Sequence, residues 1–168
     1  MPKYTPKNKA KLKNLIKNKK IYLGDIDTRK ITDMSKLFFK SRRKDFSGIE
    51  NWDTSNVKNM RAMFYDCSNF NQNISNWNVK NVRDMGLMFS ECHSFNQPLD
   101  TWDVSNACNM IAMLANCYNF EQSLYEWKIP IKTITNNMLL NCDKIKDFPA
   151  DWKESFEELR SGELCEKL

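Results

Sequence analysis

A fixed repeat of 25 residues runs through most of this chain and limits the folds open to it. Its five tryptophans stand 25 residues apart, and a cysteine follows each of the first four after fifteen residues. Identical side chains at a fixed interval indicate stacked units, since one unit of this size cannot bury its own apolar face. The repeated positions are Trp52, Trp77, Trp102, Trp127, Trp152; Cys67, Cys92, Cys117, Cys142; Met63, Met88, Met113, Met138; and Phe70, Phe95, Phe120.

The pattern inside one unit predicts an α/β architecture. Val82, Met85 and Phe89 fall on one face of a short helix, and Asn81 precedes them where an N-cap would accept bonds from the first helical amides. Residues 74–79 carry the remaining apolar positions and predict a short parallel strand. The sequence therefore predicts a leucine-rich-repeat-like solenoid in which each 25-residue repeat has a strand and a helix.

The end segments predict helical caps on a single domain. Thr5 followed by Pro6 is a typical helix start, with apolar residues at helical spacing behind it. The predicted organisation is an N-terminal helical cap over residues 1–22, repeats over residues 23–150, and a C-terminal helical cap over residues 151–168.

Several segments resemble the repeats of a known family. They are NQNISNW at residues 71–77, MGLMFSEC at residues 85–92 and WDVSN at residues 102–106. These resemble the BspA-like leucine-rich-repeat family, a bacterial domain of unknown function, over residues 23–127. The resemblance implies a right-handed solenoid without enzymatic activity that binds host or neighbouring-cell proteins at the cell surface or after secretion.

The N-terminal residues predict a different cellular location from the one that the resemblance implies. They are rich in lysine but lack the apolar core of a signal peptide, which predicts a cytoplasmic protein with reduced thiols. No apolar run approaches the roughly 20 residues of a membrane-spanning helix.

Two of the repeated positions allow a functional interpretation beside a structural one. The cysteines could suggest a metal or redox site, but zinc sites use paired ligands such as C-x₂-C, which do not occur here. Small buried thiols are the favoured interpretation. The tryptophans could form an exposed binding stripe, but packing in the core is favoured. Asn71, Asn96 and the glutamines beside them are expected to stack as amide ladders that bond to the backbone.

No catalytic signature is present, and we predict neither enzymatic activity nor a bound metal or cofactor. His93 is the single histidine and directly follows a ladder cysteine, so a side chain pointing away from the thiol is expected. Nucleophile elbows, P-loops and dinucleotide fingerprints are absent from the sequence.

Charge is divided unevenly between the two ends of the chain. Residues 1–44 hold fifteen basic and three acidic side chains, a net charge of +12, whereas residues 45–168 carry −7. Such a basic head can bind an anionic polymer or membrane surface. The candidate anion-binding residues are Lys9, Lys13, Lys17, Lys20, Arg42 and Arg43. Nucleic-acid binding is disfavoured because no basic stripe with aromatics continues along the repeats.

The function favoured by these observations is a non-catalytic repeat scaffold that binds another protein. Residues between the ladders would carry specificity. The candidate contacts are Ser75, Asn76, Asn78 and Lys80 in one repeat and Asp100, Thr101, Asp103 and Ser105 in the next. The chain is expected to be a monomer, with head-to-tail association of its oppositely charged ends as an alternative.

Overall fold

The local structure contradicts the α/β prediction. A computed structural model describes residues 1–149 and Trp152. Those residues form one α-helix, α1 (Lys9–Lys17), and two 3₁₀ helices, Leu23–Asp25 and Ile49–Asn51, and they contain isolated β-bridges but no strand. The right-handed leucine-rich-repeat-like solenoid with a strand and a helix in every repeat is therefore wrong.

Each 25-residue unit is a layer of tight turns where a helix was expected. Between residues 60 and 67, the amides of Met63, Tyr65 and Cys67 donate to carbonyls three residues earlier, over 3.1, 3.3 and 2.9 Å. Ala62 and Asp66 have left-handed φ angles of 53° and 54°. This geometry is that of type II turns, in which the third residue has positive φ. Positive φ angles at two residues four positions apart exclude a helix on this segment.

Hydrogen bonds between backbones join each layer to the next. Every second amide of residues 60–66 donates to a carbonyl of the following layer, for example Met60 to Asp84 over 2.8 Å and Phe64 to Met88 over 2.9 Å. The same pattern recurs from the layers that begin at Met34, Met85 and Met110. Equivalent residues therefore lie beside one another in neighbouring layers. Parallel bridges mark this register at Asp33, Asn59, Asp84, Asn109 and Ile134.

The core consists of the repeated apolar side chains, as the sequence predicted. All five tryptophans are buried, and four indole N–H groups donate to a carbonyl of the preceding layer, as Trp127 does to Leu99 over 2.7 Å. Phenylalanine rings stack between layers, with centroids 5.8 Å apart for Phe64 and Phe89. The interpretation of the tryptophan ladder as core is confirmed.

Helix α1 covers the N-terminal end of these layers. It begins at Lys9, and the side chain of Asn8 caps it by accepting from the Lys11 amide, so the predicted start at Thr5 is wrong. Leu12 and Ile16 are buried against the first layer. The predicted C-terminal cap over residues 151–168 lies outside the described residues except for Trp152.

The asparagines expected to cap a helix in each repeat have another role. Asn81 does not accept from amides of its own layer. Its Nδ2 donates to the Ser55 carbonyl of the preceding layer over 2.7 Å. Asn56 and Asn106 make the equivalent bonds to Arg29 and Lys80. These side chains join layers.

Candidate binding surfaces

The two groups of predicted contact residues lie on adjoining layers. The Thr101 hydroxyl donates to the Ser75 carbonyl over 2.8 Å, which brings residues 75–80 beside residues 100–105. Ser75 is half-buried, and the other seven candidates are exposed. The structure therefore assembles these residues into one polar surface.

Several of these side chains already stabilise the fold. Asn76 donates to the Glu50 carbonyl over 3.0 Å, and Asn78 accepts from the Lys80 amide. Asp103 accepts from both the amide and the hydroxyl of Ser105, and these bonds lower the pKa of its carboxyl group. Such Asx turns are local structural devices. Lys80 and Asp100 project from this surface without a side-chain hydrogen bond in the described part of the chain.

Three of the six candidate anion-binding residues project into solvent. Lys13, Lys17 and Lys20 are exposed, and among the described residues none of them forms an ion pair. Two of them lie four residues apart on α1 and so share a helix face. Their charges remain available to an anion.

The other three basic candidates have partners inside the protein. The Lys9 ammonium group bonds to Asp33 and Ser35, and Arg42 bonds to the carboxylate and carbonyl of Asp66. Their charges are compensated by these carboxylates.

Arg43 is only 5% exposed, and a bound anion cannot reach it. Its guanidinium group donates to the backbone carbonyls of Asp45, Ile16 and Ile21. Burial lowers the pKa of this group because the charged form is less well solvated. Arg43 joins the loop after the first layer to the end of α1.

The ladder cysteines are buried thiols, as predicted. The Cys92 thiol lies 3.0 Å from the Phe64 carbonyl and the Cys117 thiol 3.1 Å from the Phe89 carbonyl. Burial raises the pKa of Cys67 to about 12 and those of Cys92 and Cys117 well above the ordinary value. Protonated thiols are poor nucleophiles and poor metal ligands. No cluster of three metal-ligating side chains occurs among residues 1–149 and 152.

His93 lies on the surface beside two other side chains. Its Nε2 is 3.1 Å from Glu91 Oε2, and its ring is tilted against that of Tyr118 at 5.1 Å. The side chain is 45% exposed. In the described part of the chain, no hydroxyl or thiol group is hydrogen-bonded to the ring.

The predicted amide ladder is confirmed. Asn71 accepts from the Asn96 amide over 2.9 Å and from the Gln97 side chain over 3.0 Å. Asn96 repeats this pattern with Glu121 and Gln122. These side chains serve the packing of neighbouring layers.

Sequence reasoning missed an exposed aromatic side chain at the basic end. Phe39 is 42% exposed and stacks on Tyr65 with ring centroids 5.0 Å apart. The ammonium groups of Lys36 and Lys40 lie over its ring at 5.8 and 5.6 Å. A comparison of equivalent positions in the repeats would have drawn attention to Phe39. The register of the layers shows that Ser90 and Ala115 occupy the same position in later layers.

Comparison with known proteins identifies one family. A family model described as "Mycoplasma protein of unknown function, DUF285" matches residues 32–152. No curated protein and no solved structure matches the chain. The single α-helix among the described residues is too short and too polar to cross a membrane.

Proposed function

We propose that this chain, which belongs to the family of Mycoplasma proteins of unknown function, is a non-catalytic scaffold that binds another protein. The observation that carries this proposal is the register between layers. Backbone bonds hold each layer against the next, so exposed side chains between the ladders stand at fixed spacings. A rigid surface of this kind loses little conformational entropy on binding.

The polar surface formed by residues 75–80 and 100–105 is the first place to test. Lys80 and Asp100 are the informative positions because their side chains do not hold neighbouring layers together. Replacing Asn76 or Thr101 would instead remove a bond between layers, and a loss of binding there could reflect altered structure. Charged side chains at the rim of an interface chiefly affect the association rate and the specificity of binding.

Site-specific cross-linking provides the experiment. A photo-reactive amino acid at position 80 or 100 is expected to cross-link one recurrent protein in source cells, and the same residue at exposed position 132 serves as the control. Lys80→Ala and Asp100→Ala should together weaken recovery of that protein about tenfold. Equal cross-linking from all three positions would show that this surface has no selective partner.

Location is part of the same proposal. The resemblance of residues 71–77 and 85–92 to BspA-like repeats favours a partner outside the cell. Cys108 is an exposed thiol, whereas the ladder cysteines are buried. In a Cys165→Ala background, a membrane-impermeant maleimide should label intact cells and should fail to label the additional Cys108→Ala variant. Labelling only after lysis would place the protein inside.

A further inference from the structure

A groove of about 300 Å³ lies at the basic end, between α1 and the first layer. Lys13, Lys17 and Lys19 line one side, and Leu37 and Phe39 line the other. We propose that this groove binds an acidic segment of a protein partner that inserts one apolar side chain beside Phe39. The inference rests on the proposed protein-binding function and assigns the chemistry of the partner.

Charge is the first argument for an acidic occupant. No acidic side chain lines the groove, and its three lysines form no ion pair in the described part of the protein. Arg43 also lines the groove, but its guanidinium group is buried and bonded to backbone carbonyls, so the charge that an occupant can reach is that of the three lysines. Several positive charges therefore face one concave surface, which attracts a negatively charged chain.

The first layer also differs from later layers at the positions beside this groove. Lys36 and Lys40 occupy left-handed turn positions, with φ of 55° at each. The layer that begins at Met110 has Ala112 and Asn116 at the equivalent places. Lysine is no better suited to this backbone conformation than other non-glycine residues, and the conformation costs such a residue about 1 kcal/mol. Both ammonium groups add to the positive charge around Phe39.

The exposed Phe39 ring determines the second feature of the occupant. It is 42% exposed at the groove rim, and Leu37 beside it is buried. Partly exposed aromatic side chains surrounded by charge are typical anchors of protein interfaces. An apolar side chain from the partner would complete the burial of this ring.

A protein segment fits this site better than a nucleic acid or a bilayer. A nucleobase would need a free aromatic face, but Phe39 is already stacked on Tyr65 and approached by two lysines. A bilayer would favour protruding apolar side chains, whereas this site is a groove. A protein segment with alternating acidic and apolar side chains matches both the charge and the shape of the groove.

Fluorescence anisotropy with two synthetic probes tests the proposal. One probe is a fluorescein-labelled glutamate peptide with a central leucine, and the other contains glutamate alone. The leucine peptide should bind more tightly, and Lys13→Glu with Lys17→Glu should weaken it about tenfold or more. The control pair Lys128→Glu and Lys132→Glu, which changes exposed lysines of the last layer by the same charge, should leave binding unchanged.

Two further variants separate the groove from general attraction between charges. Phe39→Ser introduces the residue of the equivalent position in a later layer, Ser90. It should weaken the leucine peptide about tenfold and leave the glutamate peptide unchanged. The pair Lys36→Ala and Lys40→Asn introduces the residues that occupy the equivalent positions 112 and 116. It should weaken the binding of both peptides a few fold.

The outcomes decide between the alternatives. Equal weakening of both peptides by Phe39→Ser, or an equal effect of the control pair, would overturn the proposal. Tighter binding of phosphatidylglycerol vesicles or polyuridylate through the same lysines would overturn it in favour of a membrane or an RNA. Failure of both peptides while positions 80 and 100 still cross-link a partner would remove this groove and leave the scaffold function standing. Peptide binding without any cross-linked partner would remove the surface of residues 75–80 and 100–105 and leave protein binding through the groove standing.

Discussion

Left-handed turn residues recur in every layer of the described part of the chain, although none of those in these turns is glycine. Each layer contains two, four residues apart, at a cost of about 1 kcal/mol per residue. In the first four layers their amides donate to the next layer, and these bonds offset the cost. In the last layer both positions are asparagine, which tolerates this conformation best after glycine. The ten residues are Lys36, Lys40, Ala62, Asp66, Leu87, Glu91, Ala112, Asn116, Asn137 and Asn141.

Two alanines of one layer provide a direct test of this strain. Ala112 has a φ of 50°, whereas Ala115 is not among the residues of positive φ. Ala112→Gly should leave the free energy of unfolding unchanged or raise it by up to about 1 kcal/mol. The relief of backbone strain offsets the larger conformational entropy that glycine loses on folding. Ala115→Gly should lower it by about 1 kcal/mol. Urea denaturation of both variants gives the values, and equal losses would show that the positive φ carries no strain.

The buried thiol of Cys67 should make stability fall in alkaline solution. Its pKa is raised to about 12 from the ordinary 9.0 because burial disfavours the thiolate. The unfolded chain therefore releases this proton at lower pH than the folded chain, and stability is lost as pH rises from about 9 towards 12. Each pH unit within this range corresponds to about 1.4 kcal/mol for one thiol.

Cys67→Ser is the matched variant for this prediction, because the first layer already has Ser41 at the equivalent position. Between pH 8 and about 10.5, the free energy of unfolding of the variant should decline less steeply than that of the wild type. Urea titrations at each pH measure the difference. Parallel declines would mean that the Cys67 thiol ionises equally easily in the folded protein.

At the scale of elements, the position of the α1 cap can be tested against the sequence prediction. The side chain of Asn8 accepts from the Lys11 amide over 3.1 Å, whereas Thr5 precedes the helix by several residues. Asn8→Ala should destabilise the protein by about 1 kcal/mol, and Thr5→Ala should have little effect. Hydrogen exchange of the α1 amides measures the local change. The reverse order of effects would support a helix that begins at Thr5.

The sequence predicted the spacing of the elements but not their conformation. Identical side chains at a constant interval reveal which residues meet, and the burial of Trp77 and Cys92 follows from that. The apolar positions of residues 82–89 fit a helical face, yet the same residues form turns whose alternate amides bond to the next layer. A single unit examined alone gives no sign of these bonds. Only the stacked neighbour supplies the acceptors that make the turns preferable to a helix.

The candidate sites were less predictable than the spacing of the elements, because charge pairing depends on long-range geometry. The exposure of Lys13 and Lys17 follows from the polar face of α1. Arg42 and Arg43 are neighbours in sequence, but one pairs with Asp66 in the next layer and the other is buried against the end of α1. Nothing in their immediate sequence distinguishes the two.

For the whole molecule, the ladder of backbone bonds implies that a complete layer can be removed. Deleting residues 76–100 joins Ser75 to Thr101, which occupies the position equivalent to Asn76, and the layer that begins at Met60 would then face the layer that begins at Met110. Each layer bonds chiefly to its neighbours, so the shortened protein should still unfold cooperatively. It should show a lower stability and an m-value reduced roughly in proportion to its length.

Deleting one residue fewer, residues 77–100, is the control for register. It removes the same tryptophan and cysteine but moves every later ladder by one position relative to the earlier layers. Buried and exposed side chains would then no longer coincide between layers, and the alternate amides would face the wrong carbonyls. This variant should lose cooperative unfolding, as measured by tryptophan fluorescence in urea. Similar transitions for the two deletions would contradict a structure whose stability depends on the 25-residue register.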